Sequence, residues 1–189
     1  MRAMILEFIE DRTTHYLDLQ YMLGPSLLVA PVFVPESEET EYYLPKGKWT
    51  SFFNPQRVLQ GPMWVKEKVA LDDIPLWVRQ DSVLLLGPEK TGKPDYEFNK
   101  GLEVRVYELT DEDSVRIHVP RGKGVDLVGE VVVRRQGKEV TVTTSGDTIE
   151  LSTIVFHHSG MAVRNSEDGE TIIVGHGDKE VKFIIESID

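Results

Sequence analysis

The stretch Gly87-Pro-Glu-Lys-Thr-Gly92-Lys93 has the spacing of a loop that wraps a nucleotide's phosphates. That chemistry needs a Ser or Thr next, to ligate magnesium, and a helix starting there. Pro94 occupies the position, and its ring nitrogen carries no N–H. Asp95 onward lacks an apolar helical period, so the segment reads as a linker. The five histidines, His15, His118, His157, His158 and His176, lack the spacing of two ligands on one helix turn. His157 and His158 are adjacent and would point to opposite faces of a strand. No Gly-x-Ser-x-Gly nucleophile turn occurs. With no cysteine, thiol catalysis, disulfides and cysteine-bound metals are excluded, which suits a reducing compartment, and the expected location is cytoplasmic. These readings leave no candidate catalytic, cofactor-binding or metal-binding residue.

Carboxylates are abundant, and cleaving a glycosidic bond takes two of them facing each other across a pocket. Here Glu36-Ser-Glu38-Glu39, Asp111-Glu112-Asp113 and Glu167-Asp168 fall in turns or on polar strand faces. Asp72-Asp73 precedes a buried-looking strand and is expected to fix a loop by accepting backbone N–H groups. The rings Tyr42, Tyr43, Trp49, Phe52, Phe53, Trp64 and Trp77 crowd one region. A row of exposed rings would suit the apolar face of a sugar, but alternation with Leu44, Val65 and Val78 favours a core. Lys plus Arg is 21 against 32 Asp plus Glu, a formal net charge of -11. That disfavours nucleic acid and anionic membranes as partners. The one dense basic patch, Arg134-Arg135 with Lys138, lies on one side of an expected hairpin. No apolar run reaches membrane-spanning length, and the acidic start Met1-Arg-Ala-Met-Ile-Leu-Glu-Phe-Ile-Glu-Asp is unlike a signal peptide.

The elements that would position these groups change character along the 189 residues. Asp11 or Thr13 would cap a short helix holding Tyr16, Leu19, Tyr21, Met22 and Leu23, which Gly24-Pro25 ends. Ser26 to Val34 is a continuous apolar run, as in a strand buried on both faces. From residue 35 the pattern is all-β. Tyr42 to Leu44 and Trp49 to Phe53 read as two strands joined by a turn at Pro45-Lys46-Gly47-Lys48. Asn54-Pro55 starts another turn, and short strands follow at 63–65, 76–78 and 82–86. Residues 87–101 form the linker. Beyond it, Val104/Val106, Val115/Ile117/Val119, Val140/Val142 and Val181/Phe183/Ile185 alternate with polar neighbours, the mark of antiparallel strands with one buried face. Gln136-Gly137-Lys138, Ser145-Gly146-Asp147 and Asp168-Gly169 are expected hairpin turns.

Met1-Arg-Ala-Met-Ile-Leu-Glu-Phe and Tyr16 to Val32, with Gln20, Gly24-Pro25-Ser26 and Ala30-Pro31, resemble the end of the catalytic barrel of glycoside hydrolase family 31. Tyr43-Leu-Pro-Lys-Gly47-Lys-Trp49 and Asp73-Ile-Pro-Leu-Trp-Val-Arg79 resemble its proximal C-terminal β-domain. Pro94-Asp95-Tyr96 and Gly101 to Glu108 resemble the distal domain of the α-xylosidase branch, with α-glucosidases as nearby relatives. The sequence departs from the family's usual turns at Phe53-Asn54-Pro55 and Gln80-Asp81. The resemblance implies a mainly β chain. An incomplete end of a (β/α)8 barrel would occupy 1–34, a proximal β-sandwich-type domain 35–86, the linker 87–101 and a distal β-sandwich-type domain 102–189, both domains antiparallel. The family cleaves α-linked glycosides with retention, using two aspartates that precede the segment resembled here. The resemblance therefore gives this chain no catalytic residue. It implies an accessory region that packs against and supports the barrel and is inactive alone, either a truncated product or the partner of a separately encoded front half. The alternatives are an independent carbohydrate-binding module and a purely structural pair of β-domains. An exposed 26–34 strand would drive self-association or binding to the upstream barrel, and removing residues 1–34 would leave the β-domains folded.

Overall fold

The computed structural model describes residues 1–35, 38–88, 97, 99–120, 126–146 and 149–188. The chain is mainly β and divides into two units, Met1–Gln80 and Asp81–Asp189. The first unit opens with β1 (Arg2–Ala3), the short helix α1 (Met4–Glu7) and a 3-10 turn at Arg12–Tyr16. Asp11 caps that turn, its carboxylate accepting the Thr13 N–H at 3.0 Å. The helix expected to run on to Leu23 stops there. Tyr21–Leu23 is instead β2, hairpinned through Gly24 onto β3 (Leu27–Val29). Three backbone partners and the full burial of Met22 outweigh whatever a longer helix would offer.

β4 (Thr40–Ser51), β5 (Val58–Glu67) and β6 (Leu76–Arg79) complete a six-stranded sheet of order β1-β2-β3-β6-β4-β5. The turn expected at Pro45-Lys46-Gly47-Lys48 is absent, because β4 runs through it as one strand with a bulge between Leu44 and Gly47. Proline has no N–H to give a ladder and is tolerated at such a bulge. Opposite, Gly61 is required by close approach: a Cβ there would lie 2.0 Å from the Pro45 carbonyl oxygen. The hairpin turn is the one expected at Asn54-Pro55, closed by the Arg57 N–H on the Asn54 carbonyl. β3 pairs antiparallel with β2 on one edge and β6 on the other, unlike the parallel strand of a barrel. Met4, Met22, Leu28 and Ala30 share a core with Tyr42, Leu44, Trp49, Val65 and Trp77. The first 34 residues are thus part of this unit, and both edges of the 26–34 strand are covered over Leu27–Val29.

The second unit begins at β7 (Ser82–Leu86), which the sequence grouped with the preceding domain. It pairs along its whole length with β8 (Leu102–Tyr107). The strands β9 (Ser114–Pro120), β10 (Leu127–Gln136), β11 (Glu139–Gly146), β12 (Leu151–His157), β13 (Met161–Val163), β14 (Thr171–Ile173) and β15 (Glu180–Ser187) follow. They form a five-stranded sheet, β13-β15-β11-β10-β9, and a four-stranded sheet, β14-β12-β8-β7. Val104, Val106, Ile154 and Phe156 of one sheet share a core with Val131, Val133, Val140, Val142, Phe183 and Ile185 of the other, a sandwich. β8 and β12 pair in parallel, a departure from the all-antiparallel expectation. The chain leaves β8 for β9, β10 and β11 in the other sheet and returns to β12, the long crossover that parallel pairing needs. The hairpin at Gln136-Gly137-Lys138 is present. Asp168-Gly169 is no hairpin turn, because β13 and β14 belong to different sheets. The Asp147 half of the Ser145-Gly146-Asp147 turn, most of the phosphate-loop-like segment and Pro94-Asp95-Tyr96 lie outside the described residues.

Candidate functional site

Most of the ring cluster is core. Tyr42, Tyr43, Trp49 and Trp77 are buried, while Phe53 and Trp64 are exposed. Trp49 donates its indole N–H to the Pro45 carbonyl at 2.8 Å, across the bulge. The Trp77 indole N–H donates to the Tyr42 hydroxyl at 3.0 Å, and that hydroxyl donates to Glu67 Oε1 at 2.5 Å. Arg57 pairs with Glu67 Oε2 at 2.6 Å and lays its guanidinium over the Trp77 ring, 4.9 Å from the centroid. Burial, with the Glu67 carboxylate second, pushes the Tyr42 phenol well above its ordinary value. Such a phenol stays neutral, so the network is a polar brace for the core rather than an acid or base.

A second brace ties the N-terminal segment to β4. Gln20 is buried, and its amide donates to the Tyr43 carbonyl and accepts the Tyr43 N–H, both at 2.8 Å. On this edge β6 reaches only Trp49–Ser51, so the Gln20 amide supplies the peptide group that a neighbouring strand would offer. The Tyr43 hydroxyl donates to Asp11 Oδ2 at 2.8 Å. Sequence reasoning named Gln20 only within a family motif. Its physical signal was a lone amide among apolar residues. The same segment exposes Met1, Leu6, Ile9, Tyr16, Leu19, Leu23 and Phe33, more than half of the large exposed apolar side chains among the described residues.

In the second unit the carboxylates shape turns. Asp111 accepts the N–H groups of Glu112 and Gly137, and Asp113 that of Ser114. Asp168 accepts the Glu170 and Thr171 N–H groups and the Ser166 and Thr171 hydroxyls, which hold its carboxyl below the usual carboxylate range. In the first unit Asp73 accepts the Ile74 N–H at 2.7 Å, the loop-fixing role expected of it. Arg135, part of the basic patch on one side of the expected hairpin, is buried. Its guanidinium donates to the Leu109 carbonyl at 2.6 Å and the Gly137 carbonyl at 3.1 Å.

The histidines are dispersed. His15 is exposed, with Nε2 2.9 Å from the Ile9 carbonyl. His118 is exposed near Glu130, and His176 lies exposed in a turn. His157 and His158 do point apart. His158 stacks on Phe156, and His157 is buried against the Tyr107 ring with Nδ1 3.0 Å from Glu170 Oε2. Burial pushes the His157 pKa down, with Glu170 opposing. Among the described residues no group of three or more His, Asp or Glu is placed to hold a metal ion.

Comparison with known proteins finds two family matches in succession along the chain. Residues 1–84 match the glycosyl hydrolase family 31 C-terminal domain, without a break at residue 34. Residues 97–185 match the C-terminal domain of alpha-xylosidase YicI. The chain is 33% identical over 169 residues to the alpha-xylosidase XylQ of Lactiplantibacillus pentosus, covering 88% of this chain and 21% of that protein. It is 36% identical over 132 residues to an alpha-xylosidase of Saccharolobus solfataricus, covering 65% of this chain and 18% of that protein. The chain therefore spans about a fifth of the length of these relatives. A GH31 dextranase of Flavobacterium johnsoniae superposes on 98% of this chain and 29% of its own, with a TM-score of 0.74 at 16% identity. The GH31 alpha-xylosidase of Xanthomonas citri superposes on 97% of this chain and 21% of its own, with a TM-score of 0.69 at 21% identity. At those identities the structures share the fold.

Proposed function

The chain belongs to glycoside hydrolase family 31, as its C-terminal accessory β-region, and we propose that it supports the catalytic barrel of a retaining α-glycosidase acting on α-xylosides. The observation that carries the barrel contact is the uneven distribution of apolar surface. Met1, Leu6, Ile9 and Leu23 are exposed beside core residues Met4 and Met22, whereas the longer second unit exposes only Leu127, Ile173 and Ile188 among its described large apolar side chains. Such exposed side chains on one segment mark a protein contact, and a barrel wall would remove them from water. The xyloside preference is supported by the relatives named alpha-xylosidase and by the match of residues 97–185.

The chain's own part is structural: it offers the apolar face and holds it in place through Gln20, Asp11 and Tyr43. The test is an assay of the purified chain on aryl α-xylosides, alone and mixed with a family 31 barrel lacking its C-terminal region. The chain alone should show no turnover. The mixture should recover hydrolysis, and Leu6→Glu with Ile9→Glu should abolish that recovery. Turnover by the chain alone that disappears on changing one carboxylate would overturn the reading.

A further inference from the structure

A cavity of about 350 Å³ opens in the first unit between the 3-10 turn, the segment after β3, and the start of β4. Its rim carries three aromatic rings from distant parts of the sequence. Tyr16 is 85% exposed, Phe33 68% and Trp64 50%. Asp18 and Glu41 also line it, and among the described residues neither carboxylate has a hydrogen-bond or ion-pair partner. Aromatic side chains of this size normally bury most of their surface, and three left in water around one concavity are a standing cost.

From this arrangement we propose that the cavity binds a neutral oligosaccharide of two or more pyranose rings. Each element has a counterpart in such a ligand. A pyranose presents a face of C–H groups that lies against an aromatic ring, and an edge of hydroxyls that donate to carboxylates. Asp18 and Glu41 are acceptors only, so they match hydroxyl donors and repel an anion. The volume is at the small end of the roughly 300–1,000 Å³ of small-molecule sites. Aromatic rings and carboxylates also suit a cation, but a cation cage closes rings around one point. Here the three rings make no ring contact with one another: Trp64 touches Tyr43 at 5.3 Å and Tyr16 touches His15 at 6.4 Å. Rings that stand apart around one cavity fit an extended chain of sugar units better than a single point charge. Met1, Leu6, Ile9 and Leu23 are not among the residues that line the cavity.

The tryptophans make the test specific. Trp49 and Trp77 are 0% and 1% exposed, so Trp64 is the one indole at the surface. The chain is titrated with xylotetraose and with maltotetraose while the indole N–H resonances are followed by NMR. One of the three indole signals should move, saturably, and the matching methyl monosaccharide should bind at least about tenfold more weakly. Tyr16→Ala combined with Phe33→Ala should abolish saturation. Both residues are exposed, so the unchanged Trp49 and Trp77 signals certify the fold. Asp18→Asn should weaken binding severalfold. No saturable shift up to the solubility of either sugar overturns the proposal. So does a shift produced by tetramethylammonium and not by the sugars, which would make the cavity a cation site.

Discussion

The two units solve the same problem with different chemistry. The second packs β-branched and aliphatic side chains from two sheets, Val131 and Val133 against Val104, Val106 and Ile154, and needs little else in its centre. The first has one sheet and closes its core with large side chains that carry polar ends. Trp49, Trp77 and Tyr42 are each tied by hydrogen bonds, and Gln20 and Asp11 lash the N-terminal segment to Tyr43. A sandwich shields its apolar faces by itself. A single sheet must borrow a cover, and the borrowed cover here, residues 1–34, leaves its own outer side chains in water. The unit that depends on its first residues is thus also the one that leaves most of the large exposed apolar side chains among the described residues in water.

The strongest way to break this contrast is to remove residues 1–34. Met4, Met22 and Leu28 are fully buried, and each contributes roughly 1.5–3 kcal/mol. Together they rival the roughly 5–15 kcal/mol that holds a domain folded. The truncated chain should lose the near-UV signal of Trp49 and Trp77 and the hydrogen-exchange protection of β4 to β6, while β8 to β12 keep theirs. A truncated chain with all strands protected would show that the first unit does not need its cover. Next in size is Trp49→Ala. It removes a fully buried ring and the bond across the β4 bulge, at a cost of about 3–5 kcal/mol confined to the first unit. Ile154→Val, the matched change in the sandwich, should cost about 0.5–1.5 kcal/mol. Separate melting of the two units by residue-resolved exchange checks both.

The same contrast decides what could be read from the sequence. Period-two alternation announced β8, β9, β11 and β15, because a half-buried strand repeats every two residues. The partners were hidden: the parallel β8–β12 pair depends on a return between sheets, which no local pattern encodes. In the first unit, Pro45 and Gly47 read as a turn, although their ladder continues around a bulge. Tyr21–Leu23 is three residues long, too short for any periodicity, and its strand state is set by Val29 and Leu27 across the hairpin. Burial of the rings was legible from their alternation with aliphatic residues. The exposed trio Tyr16, Phe33 and Trp64 was not, because its members meet only in the folded chain.

Gln20 sharpens the contrast at a smaller scale. Gln20→Ala would leave the buried Tyr43 N–H and carbonyl without the partners that a strand neighbour would otherwise supply. The cost is about 1–3 kcal/mol, and Gln20→Glu should recover only the bond from the Tyr43 N–H, because a carboxylate cannot donate to the carbonyl. Urea unfolding of the first unit should place Glu between the wild type and Ala. An Ala variant with an unchanged midpoint would remove the brace from the account.

The smallest expected effect is a difference in pH slope between the two units. His157 is the one buried histidine among the described residues, and its surroundings are mixed. Glu170 lies 3.0 Å from Nδ1, the Tyr107 ring centroid is 4.9 Å away, and Arg105, hydrogen-bonded to Glu103, adds a positive charge nearby. Burial outweighs the attraction of Glu170, so the folded pKa falls below the ordinary 6.5. The unfolded chain takes up its proton near 6.5, and the folded chain only at lower pH. The folded state is thus at its best above that value and loses stability as the pH drops through 6.5, levelling off once the folded ring is protonated too. The exposed His15 gives the first unit no such buried imidazole. Between pH 8 and about 5.5, above the ordinary carboxylate range, the urea midpoint of the second unit should fall more steeply than that of the first. His157→Gln should flatten that difference whatever it does to the midpoint itself. Equal slopes in the two units would mean that Glu170 compensates the buried ring fully, and a slope that survives His157→Gln would belong to another group.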